Sequence, residues 1–131
     1  MKRKALHIES SENGNRAIYV DEENAAEILK FISSEPALKN KFRYVSKIIL
    51  GGHRNTDLYD KEEINEKCKD VTAMKLMKGK LNPRIYYKEV TTGEKVRVVI
   101  CCELLKKKKS RKLTHKEINL ITKVANYEYE F

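Results

Sequence analysis

The chain has 131 residues, 40% hydrophobic and 36% charged, enough to bury an ordinary core as one domain without disulfides. No apolar run nears the roughly 20 residues that a membrane span needs, and the basic start leads into no apolar stretch, so neither a spanning helix nor a secretory signal is expected. The net charge of +9 is lopsided: residues 1–71 carry 13 Lys and Arg against 13 Asp and Glu, whereas residues 72–131 carry 15 against 6, which points to a polyanionic partner for the second half.

In chain order, residues 5–8 and 16–20 read as short strands on either side of the turn-forming Ser10-Ser11-Glu12-Asn13-Gly14-Asn15. Asp21 is placed to cap the helix that follows, with Glu22 and Glu23 favourably set against its dipole. Ala25, Ile28, Leu29 and Ile32 fall on one face of that helix. Pro36 suits the first turn of a second helix, whose stripe of Leu38, Phe42, Val45, Ile48 and Ile49 runs up to Gly51-Gly52. The short joint makes the two helices antiparallel neighbours. Residues 52–70 are polar and read as loop, with a turn of helix near residues 62–68.

A strand over residues 71–77 follows, then a connection over 78–83 in which Pro83 forbids a central ladder. In the next strand, residues 84–90, Arg84, Tyr86 and Lys88 share one face, and Ile85 and Tyr87 the other. After a hairpin loop over 91–94, residues 96–105 are nearly continuously apolar, which predicts a central strand covered on both faces. That strand runs straight into Lys106-Lys107-Lys108-Lys109-Ser110-Arg111-Lys112. Thr114 and Glu117 then form a capping box for a last helix with Ile118, Ile121, Val124 and Ala125 inward. The tail, residues 126–131, alternates Tyr and Glu and reads as frayed or draped over the surface.

Cys68, Cys101 and Cys102 are odd in number, and two are adjacent in the most apolar strand. Free thiols in a reducing cytosol are expected rather than bridges, and with no Cys-x-x-Cys pair or histidine cluster no metal or other cofactor is expected. The expected fold is α+β, in one domain over residues 1–131. An antiparallel or mixed sheet packs against two N-terminal helices, with a C-terminal helix.

The order of a strand, two helices, three meandering strands, a basic segment and a terminal helix resembles the RelE/HigB superfamily of type II toxins, in particular its phage-derived HigB-like branch. The residues that carry the resemblance are AMKLMKGKLNPRIYY and VRVVICCELLKKKKSRKLTHKEI. It spans roughly residue 18 to the C-terminus, with the specific part at residues 74–118. The resemblance implies a RelE-like fold and a cytoplasmic endoribonuclease that needs no metal. Such an enzyme cleaves mRNA on the ribosome and is held inactive by a cognate antitoxin. The ribose 2′-hydroxyl would attack the adjacent phosphate, which requires a proton acceptor, cations against the phosphorane and a proton donor to the leaving oxygen.

Carried over by position, the resemblance makes Lys75, Lys78 and Arg84 catalytic cations, with Lys108, Lys109 or Arg111 as a further one before the terminal helix, Arg111 the best suited of the three. A fixed guanidinium at Arg84 suits bidentate phosphate binding. Lys106, Lys107, Lys108, Lys109 and Lys112, with Tyr86 and Lys88 on the face of Arg84, would contact RNA. Tyr127 and Tyr129 could stack on bases or protonate the leaving group. His115, in a first helical turn that disfavours its protonated form, could serve as a base. Lysine stands at 75 where the family commonly has arginine, and no histidine lies in the three-strand segment. Two rivals share the scaffold: a ParE-like inhibitor of DNA gyrase, and a catalytically silent module that binds nucleic acid or a partner helix. Retention of Arg84 and Arg111 argues against the first.

Overall fold

The structure, a computed structural model, describes residues 2–53, 59–61, 71–76, 82–106 and 114–130. Its element order is β1 (Arg3–Ser10), β2 (Arg16–Asp21), α1 (Ala25–Ser33), α2 (Pro36–Leu50), β3 (Tyr59–Lys61), β4 (Val71–Lys75), β5 (Arg84–Thr91), β6 (Arg97–Leu105), α3 (His115–Asn126) and β7 (Tyr129–Glu130). The seven strands form one mixed sheet in the order β3-β4-β5-β6-β2-β1-β7. The β2–β6 and β1–β7 pairs are parallel, and the rest are antiparallel. No helix among the described residues is long and apolar enough to cross a membrane.

The apolar run of β6 lies mid-sheet, between β5 and β2, and Val98, Val99, Ile100, Cys101 and Cys102 are all buried. Alternate residues serve opposite faces. Val99 and Cys101 join Ile18, Val20, Met74, Ile85 and Tyr87 under α1 and α2, packed on Ile28, Ile32, Phe42 and Val45. Val98, Ile100 and Cys102 join Val71, Ala73 and Tyr86 beneath Ile121, Val124 and Tyr127 of α3 and the tail. The sheet is thus the middle layer, with two helices on one face and one on the other. Each fully buried Val or Ile contributes about 1.5–3 kcal/mol, so a two-faced β6 is the strand whose exposure would cost most.

A bulge modifies this alternation. The β5–β6 register shifts between Tyr86 and Tyr87, leaving Cys102 without an opposite residue. Cys102 and Glu103 consequently both serve the α3 face.

The helices follow their local signals, with one correction. Pro36 opens α2, and α3 begins on the expected box: Thr114 Oγ1 accepts from the Glu117 N–H at 3.2 Å, and Glu117 Oε2 accepts from the Thr114 N–H at 2.6 Å. Asp21, however, is not the cap of α1. The helix starts at Ala25, and its N-cap Asn24 makes no side-chain cap bond. Asp21 instead accepts from the backbone N–H groups of Glu23 at 2.9 Å and Asn24 at 3.1 Å, in a turn ahead of the helix.

Two further readings are corrected. The polar stretch taken as loop contains β3, three residues paired to β4; so short a strand carries no period to detect. The helical turn near residues 62–68 lies outside the described residues, as does Cys68. The tail is not frayed: β7 pairs with β1, Arg3 N–H donates to the Glu128 carbonyl at 2.7 Å, and Tyr127 is buried.

Candidate functional site

One end of the sheet gathers the cations of the meander. Arg84 opens β5 directly opposite Lys75, the last residue of β4, and opposite Leu105, the last of β6. By the two-residue period, Lys75 shares the α3 face with Val71 and Ala73, and Arg84 shares it with Tyr86. Asn82 takes a left-handed φ of 42°, which asparagine tolerates, and Leu76 N–H donates to the Pro83 carbonyl at 3.3 Å. That bond sets where Arg84 enters the sheet. Lys106, exposed, follows immediately after Leu105.

Arg84 is half-buried, and its Nε is enclosed without a hydrogen-bond partner among the described residues. An enclosed donor left unanswered costs about 1–3 kcal/mol. A guanidinium in that position is matched by an anion that offers two oxygens, a phosphate or a carboxylate.

The other expected residues divide. Tyr86 is 1% exposed, so its ring packs beneath α3 and is not available to stack on a base. Lys88 donates through Nζ to the carbonyls of Ala125 at 3.0 Å and Tyr127 at 2.7 Å. It thus answers the negative end of the α3 dipole rather than facing solvent. His115 is exposed on the first turn of α3. Lys78, Lys107, Lys108, Lys109, Arg111 and Lys112 lie outside the described residues.

Tyr127 and Tyr129 belong to a polar network that no sequence motif announced. Asp21, fully buried, accepts from Arg3 Nε at 2.6 Å, from Arg3 Nη2 at 3.0 Å and from the Tyr129 hydroxyl at 2.7 Å. The Tyr129 oxygen also lies 3.1 Å from Cys102 Sγ. Tyr127 donates a short hydrogen bond to Glu103 Oε2, which also accepts from Asn24 Nδ2 at 2.8 Å. Arg3 stacks on the Tyr127 ring, 3.9 Å from its centroid.

Burial works to raise the Asp21 pKa, but the hydrogen bonds from Arg3 and Tyr129 outweigh it and hold the carboxyl below its ordinary value. Burial and the neighbouring thiol and carboxylate push the Tyr129 hydroxyl well above the phenol range. Burial and Glu103 do the same to Tyr127, and burial pushes the Cys102 thiol up to about 12. Both tyrosines therefore hold their protons firmly and spend them on carboxylates. Only pairing across four segments creates this cluster, and the alternating Tyr and Glu of the tail was its one sequence trace. Among the described residues, no group of three or more His, Cys, Asp or Glu is placed to hold a metal ion.

Comparison with protein-family models, with curated proteins and with solved structures finds no match to this chain.

Proposed function

We propose that this protein is the toxin of a type II toxin–antitoxin pair, related to RelE and HigB, and that it cleaves mRNA on the ribosome without a metal. The observation that carries the reading is Arg84, a half-buried guanidinium whose enclosed Nε has no partner among the described residues, side by side with Lys75 at the end of the meander. The reading is supported by the order β2, α1, α2, β4, β5, β6, α3, to which β1, β3 and β7 are additions beyond what the family resemblance implies. The excess charge of residues 72–131 supplies the field that draws a polyanion.

In this reading Arg84 grips the scissile phosphate and Lys75 adds charge against the phosphorane. Stabilising charge that develops only in the transition state is what raises a rate rather than an affinity. Proton transfer falls to His115 or to a lysine of the basic segment, since Tyr127 and Tyr129 are committed to Glu103 and Asp21. The antitoxin would lay an acidic or amphipathic segment over the cationic end, quenching its field and displacing RNA together.

That commitment of both tyrosines favours one second reading, an RNA-binding module that does not cut. Binding needs the same field without a placed acid and base. Inducing the chain alone in a bacterium and mapping new mRNA 5′ ends against the reading frame separates the possibilities. Cuts inside translated codons, abolished by Arg84→Ala, support the toxin reading. RNA binding without cuts supports the silent module, and DNA damage without cuts supports a ParE-like activity.

A further inference from the structure

At the opposite end of β6, on the opposite face of the sheet, lies a second set of cations. Arg16 and Arg97 are register partners in the parallel β2–β6 pair. By the two-residue period they share the α1–α2 face with Ile18, Val20, Val99 and Cys101. Together with Lys47 of α2 and Lys95 of the β5–β6 turn they line a cleft of about 960 Å³. None of these four cations is held in an ion pair among the described residues. Glu9 and Glu12 also border the cleft, so its wall is cationic by two charges. Arg97 stands eight residues before Leu105, about 26 Å along the strand.

Local backbone choices put these side chains there. Gly52 adopts φ +77°, and a Cβ on it would come within 3.1 Å of Arg16 Nη2, so the glycine makes room for the guanidinium at the end of α2. Lys95 sits at φ +65°, in a turn closed by Lys95 N–H to the Thr92 carbonyl at 2.9 Å and Thr92 N–H to the Val96 carbonyl at 2.9 Å. Glycine is the natural occupant of such a left-handed turn position. Lys95 holds that position against backbone preference and sets its ammonium at the cleft wall.

We infer that this cleft binds the phosphodiester backbone of single-stranded RNA. The cations surround a volume too large for one phosphate, so successive phosphates are needed to answer them. A protein partner fits less well, because an interface core wants apolar area. Among the described residues Leu50 is the one large aliphatic side chain along this wall, and the polar β1–β2 turn makes up most of the rest. Among the described residues no aromatic ring lines the cleft, so the contact they offer reads backbone rather than sequence. Its role is to hold RNA at a point remote from Arg84. It goes beyond the cleavage reading, since binding here requires no cut.

The test is fluorescence anisotropy of the full chain with a labelled, mixed-sequence RNA bearing 2′-O-methyl groups, which removes the attacking hydroxyl and prevents cleavage. The double variant Arg97→Gln/Lys47→Gln, which leaves the Arg16–Gly52 packing untouched, should weaken binding about tenfold. It should also lower the slope of log affinity against log salt by about 1.4, since each lost phosphate contact removes about 0.7 for a single strand. Lys95→Gly should raise the melting temperature while weakening binding severalfold, an opposition that damage to the fold cannot produce. Unchanged affinity and slope in a folded double variant would overturn the inference. So would a poly-glutamate peptide that binds the cleft while RNA does not. Loss of cleavage in Arg84→Ala with cleft binding intact would show the two sites to be separate, so failure of either leaves the other legible.

Discussion

Two clusters of charge lie on the α3 side of the sheet, and they are built on opposite terms. Around Asp21 every group is answered: two bonds from Arg3, one from Tyr129 and two from backbone N–H groups. At Arg84 an enclosed donor is not answered by any described residue. The first arrangement holds the chain together, tying β1, the β2–α1 turn, β6 and the tail at one point. The second stores an unmet demand at the end of a rigid strand, and an unmet demand is what a ligand satisfies. Charge counted along the sequence does not distinguish the two; pairing does.

The comparison breaks most visibly through stability. Asp21→Ala takes the carboxylate from Arg3 Nε and Nη2, the Tyr129 hydroxyl and the Glu23 N–H, while Arg3 Nη1 keeps Glu23, and removing one partner of a buried pair costs about 3–5 kcal/mol. Urea unfolding of the variant should show that loss, whereas Arg84→Ala should stay within about 1 kcal/mol of the parent. Activity should reverse the ranking. Arg84→Ala should lower mRNA cleavage about 100-fold, the scale of removing one transition-state donor, measured as accumulation of new 5′ ends on induction. A destabilised Arg84→Ala with normal cleavage would place Arg84 with the structural cluster instead.

Smaller effects sharpen the contrast. Tyr129→Phe removes a hydrogen bond to a carboxylate and should cost about 1.5–3 kcal/mol. The pH profile carries the same cluster's signature at both ends. Asp21 has a folded pKa below its unfolded value, so its stabilisation is complete above about pH 4 and is lost as the pH falls further. Tyr129 and Cys102 have folded values above their unfolded ones, so stability declines as the pH rises past about 9–10, where the unfolded chain ionises and the folded chain does not. Chemical denaturation across pH should show both flanks, with the alkaline one reduced in Tyr129→Phe. Lys88→Met should cost about 1 kcal/mol through the end of α3 and leave RNA affinity nearly unchanged. A large loss of RNA affinity would return Lys88 to the binding surface.

The sequence by itself determined the elements with a strong period or a local chemical signal. The apolar stripes of α1 and α2, the proline that opens α2, the box on Thr114 and Glu117, and the two-faced β6 were all legible, because the residues that stabilise each lie within a few positions of one another. The pairing of Lys75 with Arg84 rests on the register of the antiparallel β4–β5 pair, which no local signal announced. Tertiary structure alone decided the rest. Asp21 reads as a helix cap until Arg3 and Tyr129, 18 and 108 positions away, claim its oxygens. Tyr86 and Lys88 read as a surface pair until α3 lies over one and takes the other's ammonium at its C-terminal carbonyls. The Arg16–Arg97 pair exists only because β2 and β6 run parallel side by side across a long crossover. Periodicity reports which face a residue occupies, but whether its charge will be answered depends on partners that the fold delivers from elsewhere in the chain.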